Sequence, residues 1–227
     1  MGRGMRAWAL LAAVFALLAI IAGFEIAAYA GAFGRVVWHV DTKDKVLFLT
    51  FDDGPSENTR AVLDILRENG VKATFFVVGK QAATHPDAVR AILKEGHGLG
   101  VHSMTHPWLW KNASEEIVLS KMLTENIAGS KVSLFRPPHG FMTPFVALEA
   151  EENNLTVVMW NVFPYDYKRG ADEIISKVEE KIKPGSIIVL HDGPGNRSEM
   201  IEALPRIIAI AKSRNYSFGL LEDYLRD

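Results

Sequence analysis

The chain has 227 residues, of which 48% are hydrophobic and 23% charged, with no cysteine and a formal net charge of -2. This length can bury a full core without staples, and the lack of cysteine excludes a disulfide scaffold, a thiol nucleophile and thiolate metal ligation. The near-neutral balance, with no basic excess, argues against a nucleic-acid binder.

The first element is apolar throughout. From Ala7 to Phe24 there are eighteen residues without a charge, and after Glu25 the chain stays apolar to Phe33. At 1.5 Å rise per residue a helix of this length spans about 27 Å, close to the hydrocarbon thickness of a bilayer. Residues 7–33 are therefore expected to meet a membrane as one N-terminal transmembrane helix. Ala28-Tyr29-Ala30 fits a small-x-small cleavage pattern, which keeps a cleaved signal and a secreted domain as the alternative. Charge does not orient the segment, because Arg3 and Arg6 precede it while Arg35, Lys43 and Lys45 follow it. Removing residues 1–40, which contribute +2 through Arg3, Arg6, Arg35 and Glu25, leaves 187 residues at -4. Such a domain suits a neutral substrate better than a polyanion. The expected organisation is an anchor over 1–33, a linker over 34–45 and a catalytic domain over 46–227.

Beyond the linker, short apolar runs alternate with helical patterns. The runs are Val46–Phe51, Ala73–Val78, Gly98–His102, Val132–Phe135, Leu155–Trp160, Ile187–Leu190 and Tyr216–Leu220. Several are apolar at consecutive positions, the pattern of parallel strands covered on both faces. Helices are predicted over Asn58–Asn69, Pro86–Glu95, Ser114–Ala128, Thr143–Asn153, Ala171–Ile182 and Ser198–Ser213, three of them stopped by Gly70, Gly96 and Gly129. Seven strands with intervening helices imply right-handed β/α units, closed as a barrel or open as a doubly wound sheet. In either case chemistry belongs at the carboxyl ends of the strands.

Polar residues fall there. The first catalytic-domain strand ends in Asp52-Asp53-Gly54-Pro55, two adjacent carboxylates of which one can reach a metal and the other substrate or water. The third ends at His102, and His106 follows at i+4, a spacing at which two imidazoles can converge on one ion. The fourth runs into Arg136-Pro137-Pro138-His139-Gly140, where two prolines hold the arginine rigidly enough to orient a carboxylate. After the fifth, Trp160 to Tyr167 is rich in aromatics, and its lone acid, Asp166, is expected to pair with Arg136. The sixth ends in His191-Asp192, a histidine with an adjacent acid to hold it and the expected proton donor to a leaving group. Each segment alone also reads as a turn, a capped loop or an ion pair. Their coincidence at strand ends is what points to a site.

The segments TFDDGP, HSMTHP, RPPHG, FPYDY and LHD occur together in order, and on them the chain resembles the polysaccharide deacetylase family, the NodB-homology domain of carbohydrate esterase family 4. The resemblance covers the chain from about Val46 onward and implies a distorted (β/α)7 barrel behind the N-terminal helix. It implies that Asp52 is the general base, that Asp53, His102 and His106 hold a divalent metal, and that His191 is the general acid. Zinc is the first expectation for the metal, cobalt or nickel the alternatives. Arg136 would fix the base, Asp166 would hold Arg136, and Leu190 would line an acetyl pocket. Pro138, His139 and Tyr167 would meet substrate. The family often has Tyr at the position of His139 and Trp at that of Tyr167. The first acts through its backbone N–H toward the oxyanion, which a histidine preserves; the second shapes the groove and leaves substrate preference open. Trp108 and Trp110 are candidates to stack on sugar rings, with packing of their loop as the alternative.

The implied function is metal-dependent removal of N-acetyl groups from an N-acetylglucosamine-containing polysaccharide, chitin-like or cell-wall, at the outer face of the membrane by a monomer. An O-acetyl esterase or small-molecule C–N amidohydrolase on the same fold is one alternative, an inactive carbohydrate-binding membrane protein another. Charged carbohydrate is not indicated, because arginine-rich recognition is absent.

Overall fold

The computed structural model describes residues 35–225 together with Trp8 and residues 11–16, 18, 19, 22 and 23, which are helical. Much of the expected anchor over 7–33, including the Ala28-Tyr29-Ala30 site, lies outside the described residues. Among the described residues no helix is long and apolar enough to cross a membrane.

The strands are β1 (Val36–Val37), β2 (Val46–Asp52), β3 (Thr74–Val77), β4 (Gly98–Val101), β5 (Leu134–Phe135), β6 (Thr156–Val158), β7 (Ile187–His191) and β8 (Ser217–Phe218). The helices are α1 (Thr59–Glu68), α2 (Gly79–Thr84), α3 (Pro86–Lys94), α4 (Ala113–Ala128), α5 (Pro144–Glu152), α6 (Ala171–Lys181), α7 (Ser198–Ser213) and α8 (Leu221–Leu225). All seven expected strands form, as β2 to β8. Every strand pairing is parallel, in the order β1-β6-β5-β4-β3-β2-β7, with β8 beside β2.

Strand β2 is buried at every position, as a strand with both faces covered must be. Its odd residues Leu47, Leu49 and Phe51 pack with Val62, Leu63 and Leu66 of α1 in the layer between sheet and helices. Its even residues Val46 and Phe48 join Phe76, Leu134, Val158 and Ile187 on the concave face, where Leu221 and Leu225 of α8 plug one end. The parity of a strand thus separates an outer core from an inner one, and it carries Thr50 and Asp52 inward.

The curled sheet comes back on itself without a full strand between β6 and β7. Past β6, Val162 forms a single parallel bridge to Ile188, donating to Ile187 O at 3.1 Å and accepting from Val189 N at 3.1 Å. Toward the opposite end, the Val40 N–H reaches Gly185 O at 2.9 Å. This is a distorted (β/α)7 barrel with one seam held by irregular chain. The strand carboxyl ends gather Asp52, His102, Arg136 and His191 at one mouth.

Candidate active site

Asp52 closes β2, and Asp53 turns out of it in the left-handed region at φ 71. That turn brings two neighbouring carboxylates to one cavity instead of opposite faces. It also leaves no room at Gly54, where a Cβ would stand 2.4 Å from Asp192 Oδ1.

Asp52 is 2% exposed, and its Oδ1 accepts from Arg136 Nη1 at 2.7 Å. Arg136 is wholly buried, and its three other hydrogen bonds go to the barrel: Nη1 to Thr50 Oγ1 at 2.7 Å, Nε to Val158 O at 2.9 Å and Nη2 to Met159 O at 3.0 Å. The Phe76 ring lies 4.1 Å below the guanidinium. Burial pulls the guanidinium pKa down and Asp52 pulls it up; at physiological pH it stays charged. Asp52 is thereby fixed through Oδ1 with Oδ2 left over, 4.0 Å from His102 Nε2.

His102 donates from Nδ1 to Arg136 O at 2.7 Å, which fixes its tautomer and leaves a lone pair on Nε2. His106 sits in a loop where Ser103 and His106 both take positive φ, 64 and 61, tied by His106 N to Ser103 Oγ at 2.9 Å. The two Nε2 atoms stand 3.5 and 3.2 Å from Asp53 Oδ1. One donor atom from each of the three residues lies within 4.8 Å of the others, and Asp53 Oδ1 is buried without a well-formed hydrogen bond. Lone pairs converging this way fit a divalent cation. Burial would raise Asp53, but the His102 and His106 imidazoles outweigh it and hold the carboxyl far below the usual range.

His191 ends β7 directly opposite Asp52 in the β2 register. Its Nδ1 lies 2.7 Å from Asp166 Oδ1, and its backbone N–H donates to Asp166 Oδ2 at 2.9 Å. Burial would lower the His191 pKa, but Asp166 raises it, helped by Asp52 and Asp53, so the protonated ring is favoured. Two expected pairings are corrected. Asp166 does not hold Arg136, whose fork is filled by Asp52, Thr50 and two carbonyls; it holds His191. Asp192 does not hold His191, because strand alternation turns it away, under Gly54, where Oδ2 accepts from Thr59 Oγ1 at 2.5 Å. Burial pushes Asp192 up to about 7, with the Asp53 and Asp52 charges adding to the effect.

These groups share a cavity of about 480 Å³ lined by Asp52, Asp53, His102, His106, His139, Gly140, Trp160, Phe163, Tyr167, His191 and Arg197. Tyr167 meets His191 edge to face at 5.4 Å. His139 takes φ 59 in the turn after β5, and its N–H donates to no carbonyl among the described residues. Its ring packs on His106 at 4.5 Å and stacks on Trp108 at 4.2 Å. Trp108 and Trp110 are exposed and extend this aromatic wall beyond the cavity through Phe141. Pro138 is buried in the turn and does not line the cavity. Leu190 is also displaced from its expected place: its side chain belongs to the outer core under the helices, and Val189 has the inward parity of His191.

Sequence reasoning missed Thr50, Trp160, Phe163 and Arg197. Thr50 had a signal, since it lies two residues before Asp52 on the same face. Trp160 and Phe163 lay in the aromatic stretch without being singled out, and nothing local marks Arg197.

A family model described as polysaccharide deacetylase matches residues 39–158, which takes in the Asp53, His102, His106 and Arg136 segments and stops before Asp166 and His191. A peptidoglycan-N-acetylglucosamine deacetylase of Bacillus cereus is 35% identical over 85% of this chain and 94% of its own. A chitooligosaccharide deacetylase of a Bradyrhizobium species is 37% identical over 70% of this chain and 77% of its own. Among solved structures, a peptidoglycan N-acetylglucosamine deacetylase in complex with 4-naphthalen-1-yl-N-oxidanyl-benzamide superposes with a TM-score of 0.81 at 33% identity, covering 84% of this chain and 92% of that one. Sequence, fold and the grouping of strand-end residues agree: the chain belongs to the polysaccharide deacetylase family.

Proposed function

We propose that the domain is a metal-dependent hydrolase that removes N-acetyl groups from an N-acetylglucosamine-containing polysaccharide. The observation that carries this is one cavity holding the Asp53-His102-His106 trio, an Arg136-paired carboxylate and an Asp166-paired histidine. The relatives named above, which act on peptidoglycan and chitooligosaccharide, support the substrate class.

Asp53, His102 and His106 would hold the ion, with zinc expected from the two-histidine, one-carboxylate set. When bound, such an ion acidifies water and polarises a carbonyl. Asp52 accepts a proton from the attacking water through its free oxygen, while Arg136 holds that carboxylate in place. The His139 N–H, without an acceptor among the described residues, is available to the oxyanion that forms as water adds to the acetyl carbon. His191 then passes the proton on Nε2 to the sugar nitrogen as the C–N bond breaks, giving the free amine and acetate. Asp166 is the positioning residue that makes His191 an acid. Trp108, Trp110 and Tyr167 offer ring faces and edges to neighbouring sugars.

The same reading has the domain at the outer face of a membrane, as a monomer held by residues 7–33; the uncharged run from Ala7 to Phe24 supports the attachment, and a polysaccharide outside the cell the side. Protease treatment of intact cells tests the side, and a shielded domain would refute it. The activity is tested by acetate release from N-acetylated chitooligosaccharide and peptidoglycan, with and without chelation, alongside the metal content of the purified chain. Protein that carries no metal and releases no acetate would overturn the reading.

A further inference from the structure

Within the cavity most charges are matched. Asp52 is paired with Arg136, Asp166 with His191, and Asp53 faces two imidazoles. Arg197 is different: it lines the cavity half-buried, its Nε is buried without a hydrogen-bond partner, and no carboxylate among the described residues pairs with it. The acid nearest in sequence, Glu199, is spent on the Ala171 N–H at 2.8 Å, where it ties α7 to α6. A guanidinium that lines a binding cavity with no protein carboxylate beside it is placed to take its counter-charge from the ligand.

We propose that Arg197 receives a carboxylate of the bound ligand. The two terminal nitrogens of a guanidinium form an edge that grips both oxygens of a carboxylate, and a neutral hydroxyl would leave the charge unmatched. The proposal rests on the deacetylase reading, which supplies two sources of that chemistry: the acetate released by the reaction, or a carboxyl substituent on the sugar polymer itself. The second would revise the sequence expectation that charged carbohydrate is not recognised.

Calorimetric titration of the metal-loaded full-length chain separates the two, using sodium acetate, an N-acetylated amino sugar bearing a carboxyethyl ether, and the methyl ester of that sugar. If the carboxylate is on the polymer, the acid binds about tenfold more tightly than the ester, the difference disappears in Arg197→Gln and partly returns in Arg197→Lys. If it is the product, acid and ester bind alike and Arg197→Gln weakens acetate binding at least about fivefold. Both the acid-to-ester ratio and the acetate affinity staying within twofold of wild type in a folded Arg197→Gln protein would overturn the proposal. Calorimetry does not need turnover, so a chain that discriminates acid from ester yet releases no acetate would refute the deacetylase reading and leave the role of Arg197 standing.

Discussion

His191 can act as an acid only while it is protonated, and the 2.7 Å contact with Asp166 is what keeps it so. Asp166→Asn removes the charge that raises the His191 pKa, so the protonated fraction falls at lower pH than in the wild type. The alkaline limb of the kcat/KM profile for acetate release is therefore expected to move to lower pH. Asp192→Asn, next door in sequence, should leave that limb in place, because Asp192 faces Thr59 and makes no contact with the His191 ring. A shift in the Asp192 variant and none in the Asp166 variant would reverse the assignment. Asp52→Asn is expected to lower turnover by about 10²- to 10⁴-fold while the purified protein keeps its metal, since the trio of ligands does not include it. Asp52, Asp53, His102 and His191 were legible in the sequence as polar residues at or just past the ends of apolar runs, with His106 four residues on, and all five line one cavity. Their pairings were not: sequence adjacency suggested Asp192 for His191, and strand alternation decided for Asp166. Arg197 was invisible because it follows a loop of Gly193, Pro194 and Gly195 that leaves no period to read.

At the scale of elements, Arg136 is a bolt through three strands. It joins Asp52 and Thr50 of β2 to carbonyls at and just past the end of β6, while its own carbonyl holds His102 after β4. Arg136→Met would leave Asp52 buried without its counter-charge, and a loss of about 3–5 kcal/mol in denaturant unfolding is expected along with loss of activity. Trp108→Ala should raise KM for polymeric substrate by roughly two- to tenfold, the size of one ring contact, with little change on the shortest substrate. The long amphipathic helices were readable from their periodicity, and α7 matches its predicted bounds. Strands β5 and β6 came out shorter than their apolar runs, β5 at its start and β6 at both ends, where the chain leaves the ladder toward the seam. Helix α2 was missed since it starts at Gly79, only one residue past β3, without a separating turn, and β1 is too short to show a period.

For the whole molecule, the seam between β6 and β7 is where the barrel is least regular. Gly185 takes φ +78, and a Cβ there would come within 1.8 Å of Val40 O. Gly185→Ala should therefore push residues 36–40 off the barrel and cost at least about 2 kcal/mol, measurable as a lower Tm. No local motif announces such a closure, because its partners are about 145 residues apart and pair through two irregular stretches. The chain of rings from His106 through His139 to Trp108 has a further consequence. An indole stacked on an imidazole that itself touches a ligand residue is an optical probe wired to the site. Loading the trio with an ion, or filling the cavity with a sugar, would change the surroundings of Trp108 and of the cavity-lining Trp160. The protein would then report its own occupancy as a change in tryptophan emission, with no added label.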